Sequence, residues 1–178
     1  VSYCATCDGN FFRGKEVLLL ERGKGWEFPR FGDLAPQNPS LYEHYLYLFS
    51  VDDERFYLAP DDLRFEGLEG ARLENREIFR TLSPRHLAFA GITGFQLYGW
   101  YRSHRFCGRC GHPTEQDHKE RMLFCPSCGQ MEYPKICPAV IVAVLDGDRI
   151  LLSKYAGRTY TRHALIAGFA EIGETIEQ

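Results

Sequence analysis

Two doubled cysteine pairs constrain this chain more than any other feature. Cys107-Gly108-Arg109-Cys110 and Cys125-Pro126-Ser127-Cys128 stand 14 residues apart, and each is followed by a glycine, Gly111 and Gly129. A C-x-x-C knuckle turns the backbone tightly, so that two thiolates and nearby N–H groups converge on one point. Glycine at the exit permits a positive φ. Four thiolates suit a tetrahedral Zn²⁺ and leave no coordination position for water, so the expected ion is structural. Two disulfides or four unrelated thiols are the alternatives. A reducing cytosol disfavours the disulfides, and the spacing favours zinc.

The chain has seven cysteines. Cys4-Ala5-Thr6-Cys7 is a third C-x-x-C, without a second pair nearby. Its surroundings, Val1-Ser2-Tyr3 before it and Asp8-Gly9 then Phe12-Arg13-Gly14-Lys15-Glu16-Val17 after it, resemble the redox motif of bacterial thioredoxin reductases. The likeness stops there. Leu18-Leu19-Leu20-Glu21-Arg22 follows, and no G-x-G-x-x-G occurs to hold a dinucleotide. A dithiol oxidoreductase built on Cys4 and Cys7 would lack an electron source, so residues 1–16 read as a leader of doubtful origin. Cys137, before Pro138, reads as a small, buried or half-buried side chain.

Net charge is −3, from 21 basic and 24 acidic residues, with pI near 6.1. That excludes a whole-protein basic field for nucleic acid, though not a local patch. The apolar runs fall far short of the roughly 20 residues a membrane span needs, and no secretory signal pattern opens the chain. A soluble, cytoplasmic protein is the expectation. The start at Val1 and the stop at Gln178, in what reads as a helix opening, suggest a fragment.

The pattern divides the rest. Residues 17–82 read as a small, mostly β domain, with Glu16 to Leu20 a strand and Tyr45 to Val51 and Phe56 to Leu58 a hairpin about Asp52-Asp53-Glu54. Ser83 is placed to cap a helix with Pro84 at its first position. Leu87, Ala90, Gly94, Leu97, Tyr98 and Tyr101 then recur at helical steps, giving a connecting helix over 83–104. The ribbon takes 105–134, with strands at Glu120 to Phe124 and Gln130 to Tyr133. From 135 to 178 a new domain begins. Ala139 to Leu145 is a continuous apolar strand, expected to be buried on both faces. It enters a hairpin about Asp146-Gly147, and Ala164 to Ala170 is a further strand. The fold class is α+β.

The stretch Leu165 to Glu174 resembles the opening of a Nudix box, in which a glycine, five residues and a glutamate precede seven residues and an R-E-x-x-E-E-x-G core. Gly168 and Glu174 match the first two fixed positions, and Thr175 to Gln178 would be spacer. The ribbon, the approach Trp100 to His112 and the step Glu132-Tyr133-Pro134-Lys135-Ile136-Cys137-Pro138 are similar to the NADH pyrophosphatase branch of the Nudix hydrolases. The resemblance runs from about Val17 to Gln178, most closely from Trp100 onward. It implies the first strands of an α/β/α Nudix sandwich, incomplete here, and a Mg²⁺- or Mn²⁺-dependent NAD(H) diphosphatase. The products would be nicotinamide mononucleotide and AMP, and NAD-capped RNA would be a further substrate.

Carried over residue by residue, Cys107, Cys110, Cys125 and Cys128 hold zinc. Glu120 and Tyr133 contact the dinucleotide, and Phe169 stacks on a base. The Ala167 carbonyl helps hold the catalytic cation, and Glu174 braces the box loop. The bland readings are a solvated carboxylate for Glu120, core packing for Phe169 and a strand-end tyrosine for Tyr133. The R-E-x-x-E-E core does not occur in the sequence, so the chain alone is expected to be inactive. Glu171, Glu174 and Glu177 match no ligand position of the family and suit a helix N-terminus. A homodimer is compatible with the composition. A competing reading from another class is a zinc-ribbon binding module for nucleic acid or protein, using Arg102, His104, Arg105, Arg109 and His112.

Overall fold

The computed structural model describes residues 16–59, 63–157 and 161–177. The Cys4/Cys7 segment lies outside them. The chain falls into two compact units, one covering 14–134 and the other including 135–178. Mixed helix and small sheets make it α+β.

In the first unit, β1 (Glu16–Arg22) turns through Gly23, at φ +61°, into β2 (Gly25–Glu27). On its other edge β1 pairs antiparallel with β5 (Ala71–Asn75), giving the order β2-β1-β5. Central position buries Leu19 and Leu20 almost completely. The charged turn expected after Val51 forms a hairpin of β3 (Leu46–Val51) and β4 (Glu54–Leu58). Its loop is Asp52-Asp53, with Asp52 at φ +51°, so Glu54 belongs to the strand rather than to the turn. The register shifts between Tyr47 and Phe49, which leaves Leu48 as the extra, buried residue. Between β2 and β3 along the chain come the short helix α1 (Phe31–Leu34) and a 3₁₀ turn. Asn38 clasps the distant Arg64 backbone, donating to its carbonyl at 2.7 Å and accepting from its N–H at 2.8 Å.

Helix α2 spans Arg85–Ser103. Its N-cap is Pro84, in extended backbone with no side-chain cap, so Ser83 does not play the capping part its sequence position suggested. The buried positions are Ala88, Ala90, Gly91, Phe95, Leu97, Gly99 and Trp100. Leu87, Gly94, Tyr98 and Tyr101 are only half-buried, so the covered seam is rotated from the expected stripe. Gly91 explains the rotation. A Cβ there would lie 2.1 Å from Cε1 of Phe79, so the helix meets the 3₁₀ turn of Arg76–Arg80 with its backbone.

The helix leads into a three-stranded ribbon, β6 (Glu115–Gln116), β7 (Leu123–Phe124) and β8 (Met131–Glu132), in that order. These strands are shorter than expected; Glu120 stands in the preceding turn and Tyr133 just beyond β8.

In the second unit β9 (Ala139–Val142) pairs antiparallel with β12 (Ile166–Phe169), and β10 (Leu145–Asp146) with β11 (Arg149–Ile150) across Gly147. Several expectations fail here. The apolar run breaks after Val142, and its faces are not buried, since Ile141, Val142, Ile166 and Phe169 are all exposed. Residues 170–177 form turns, with Gly173 at φ +90°, instead of a helix opening. Cys137 is exposed, not buried. No helix among the described residues is long and apolar enough to cross a membrane.

Candidate functional site

Two knuckles with one hydrogen-bond pattern bring the four thiols together. In the first, Gly111 N–H donates to the Cys107 carbonyl at 2.9 Å and Cys107 N–H donates to His112 O at 2.8 Å. The second repeats this with Gly129 on Cys125 and Cys125 on Gln130, at the same distances. Both glycines take the left-handed conformation, φ +76° and +73°, as the sequence requires of them. The knuckles are seated by β7 and by the Phe106–Pro113 bridge.

Cys107 Sγ lies 3.6 Å from Cys128 Sγ, and Cys110 Sγ 3.4 Å from Cys125 Sγ. All four sulfurs lie within 4.8 Å of one another. Tetrahedral zinc–thiolate bonds set sulfurs roughly 3.8 Å apart, so the cluster fits a structural Zn²⁺ and the cysteines stand as free thiols. Backbone N–H groups of Cys110 and Arg109 pull the Cys107 thiol down to about 6, favouring the thiolate a metal needs. Cys128 is pushed the other way, up to about 12. The Gln130 N–H favours its thiolate, but burial and the three neighbouring sulfurs outweigh that donor.

Beside the metal centre the ribbon presents a second polar group. The Asp117 carboxylate accepts from Lys119 N–H at 2.7 Å and Glu120 N–H at 2.8 Å, and these donors hold its carboxyl below the usual range. Met122 N–H closes onto Glu120 O, and Asp117 N–H onto Met122 O. The turn so fixed aims Glu120 at Tyr133, whose hydroxyl donates to Glu120 Oε2 at 3.1 Å. That bond, with burial and the negative charges of Glu120 and Asp117, raises the phenol above its ordinary value. Arg121 is directed at Tyr101 of α2 and partly offsets the rise that burial causes in that phenol. Sequence reading missed Asp117 and Arg121. An Asp opening a polar stretch, as in Asp117-His118-Lys119-Glu120, is the signal of an Asx turn and could have found the former.

The remaining candidates lie in the second unit. Ala167 and Phe169 are on β12, with Phe169 exposed. The Glu174 carboxylate accepts from Glu171 N–H at 2.7 Å, closing the turn between them. Among the described residues the four cysteines are the one set of three or more His, Cys, Asp or Glu side chains close enough to share an ion. Among the described residues no carboxylate cluster accompanies the Ala167 carbonyl, so this donor set does not fit a Mg²⁺ or Mn²⁺ site, which needs several hard oxygens.

This geometry defines a four-cysteine zinc ribbon. Residues 102–133 match the family model described as the NADH pyrophosphatase zinc ribbon domain. Curated relatives include proteins called NAD-capped RNA hydrolase NudC from Klebsiella pneumoniae strain 342, Salmonella heidelberg strain SL476 and Citrobacter koseri. Each is 45% identical over 85 residues, covering 48% of this chain and 33% of the relative. The match thus spans about a third of the length of those relatives, and over it the chain resembles the NADH pyrophosphatase branch of the Nudix hydrolases.

Proposed function

We propose that this chain carries the N-terminal region and structural zinc ribbon of a hydrolase that splits the pyrophosphate of NAD(H) into nicotinamide mononucleotide and AMP. NAD-capped RNA is the second substrate class, since the same bond joins the cap to the first nucleotide. The observation that carries the reading is the coincidence of the four-thiol cluster with residues 102–133, the stretch that matches the NADH pyrophosphatase zinc ribbon domain. In this reading residues 105–134 are the ribbon and 135–178 the beginning of a Nudix hydrolase domain.

Glu120 and Tyr133 form the dinucleotide-facing pair. A carboxylate and a phenol held 3.1 Å apart, the phenol proton given to the carboxylate, leave lone pairs on both groups to accept from ribose hydroxyls. Phe169 offers an exposed ring for a base, and the Glu174 turn braces the segment after it. Hydrolysis of the diphosphate by this branch draws on Mg²⁺ or Mn²⁺. The sequence contains no R-E-x-x-E-E core, and the expectation is that the 178-residue chain by itself does not turn substrate over.

The test is AMP release from NADH with Mn²⁺, for this chain and for a longer one that reads through an R-E-x-x-E-E core. Activity confined to the longer chain, with a raised KM in Tyr133→Ala, is the expected outcome. Robust metal-dependent AMP release from the short chain would overturn the assignment of residues.

A further inference from the structure

Polar groups hold the turn that carries Glu120. Residues 118–121 are all exposed and Asp117 before them is half-buried, so no buried apolar side chain among them sets the backbone. Two polar ties stand in its place. On one side a single oxygen of Asp117, Oδ2, accepts from Lys119 N–H at 2.7 Å and from Glu120 N–H at 2.8 Å. On the other, Arg121 is directed at the Tyr101 hydroxyl of α2. The backbone closes between them, with Asp117 N–H donating to Met122 O at 3.0 Å and Met122 N–H to Glu120 O at 2.9 Å. The Asp117 tie grips the Glu120 N–H, one bond from the Cα that carries the carboxylate arm.

A side-chain acceptor of this kind stands in for a backbone turn and fixes the residues it spans. Without it both N–H groups would pair with water, and an exposed turn with no core of its own would sample other conformations. Glu120 reaches Tyr133 at 3.1 Å through a flexible side chain, so the meeting depends on where the Glu120 Cα stands. We infer that Asp117 is a positioning residue for the Glu120–Tyr133 pair, acting through the backbone of the turn to set where the Glu120 carboxylate stands. Its bearing on substrate contact rests on the reading of that pair as dinucleotide-facing. Asp117 also contributes charge, since its carboxylate adds to that of Glu120 in raising the Tyr133 phenol. The two effects are separable. Asparagine keeps a side-chain oxygen without the charge and serine keeps a shorter one, whereas alanine has none.

The full chain has ten tyrosines, so the Tyr133 phenol is followed by ultraviolet titration as the difference between each variant and its Tyr133→Phe counterpart. Asp117→Asn should lower the phenol slightly, through lost charge. Asp117→Ala should lower it further, toward the value in Glu120→Gln, and Asp117→Ser should recover the value of Asp117→Asn. In a Glu120→Gln background the Asn and Ala variants should no longer differ, because the group they position is gone. Zinc content should be unchanged throughout. Equal phenol values for Asp117→Asn and Asp117→Ala, or a difference that persists in the Glu120→Gln background, overturns the proposal. So does loss of zinc in Asp117→Ala, which would make Asp117 a support of the whole ribbon. Amide shifts of Glu120 and Tyr133 on addition of NADH test the underlying reading separately. They should saturate alike in wild type and Asp117→Asn and need about tenfold more NADH in Asp117→Ala. If NADH shifts neither amide in the wild-type chain, the dinucleotide reading falls, while the phenol titration still decides whether Asp117 positions the pair.

Discussion

Removing one zinc ligand should unfold the ribbon and leave the β domain standing. Between residues 105 and 134 the buried side chains are Cys107, Leu123 and Cys125, and the three strands are two residues each. Burying one leucine contributes about 1.5–3 kcal/mol, whereas ordering each residue's backbone costs about 1–2 kcal/mol. Apolar burial cannot hold some thirty residues in place on those terms. A structural zinc can, because its apparent value of about 10–16 kcal/mol in zinc-finger peptides is for chains that fold as they bind and is already net of that ordering cost. The β domain draws on a separate set of buried residues that includes Leu19, Leu20, Leu34, Leu41, Leu48, Phe79 and Leu82. Cys125→Ser, or chelation of the wild-type chain, should therefore abolish amide protection across 105–134 while protection in β1 and β5 persists. Hydrogen exchange read by mass spectrometry, with zinc measured by elemental analysis, checks both halves. Persistent protection of the Cys125 and Gly129 amides in metal-free protein would refute the reasoning, since those amides bond only within the knuckle.

Gly91→Ala should lower the melting temperature despite the better helix former. The clash with Phe79 costs about 1–3 kcal/mol of overpacking, against a gain of about 1 kcal/mol in propensity; a raised melting temperature would contradict the packing. Glu120→Gln should bring the Tyr133 phenol back toward its ordinary value in an ultraviolet titration. The raised value means that the Tyr133–Glu120 bond is fully present below the ordinary tyrosine range and is lost as pH climbs through the raised value; an unchanged titration would show that the bond is not kept in solution. Exposed Cys137 should alkylate ahead of the four ribbon thiols in zinc-loaded protein, with the ribbon cysteines reacting only after chelation; peptide mapping distinguishes the two stages.

Local signals carried far in this sequence where the backbone itself solves the problem. Gly111 and Gly129 announce knuckle exits because glycine takes φ near +75° at no steric cost. Asp52-Asp53 announces the hairpin for a similar reason. The helix was legible in extent but not in face, because its seam is set by Phe79 pressing on Gly91, a partner that periodicity within the helix cannot reveal. Ala139 to Leu145 misled in the same way. Its composition suits a strand buried on both sides, yet β9 pairs along one edge with β12 and leaves Ile141 and Val142 exposed. Burial is a property of neighbours, and a run of apolar residues states only what neighbours it would accept.

The ribbon also ties the metal to the polar pair beside it. Glu120 and Tyr133 are 13 residues apart and sit on opposite sides of the second knuckle. Their meeting at 3.1 Å depends on β7 and β8 lying in register, Leu123 against Glu132 and Phe124 against Met131. Between those strands runs Cys125 to Gln130, closed by its two backbone bonds and gripped through Cys125 and Cys128. Asp117 fixes only the Glu120 side of the pair. A structural zinc ion thus determines whether carboxylate and phenol meet at all. Loss of zinc should consequently return the Tyr133 phenol toward its ordinary value even with Glu120 intact. A raised phenol surviving in zinc-free protein would separate the pair from the metal and assign its geometry to the Asp117 turn alone.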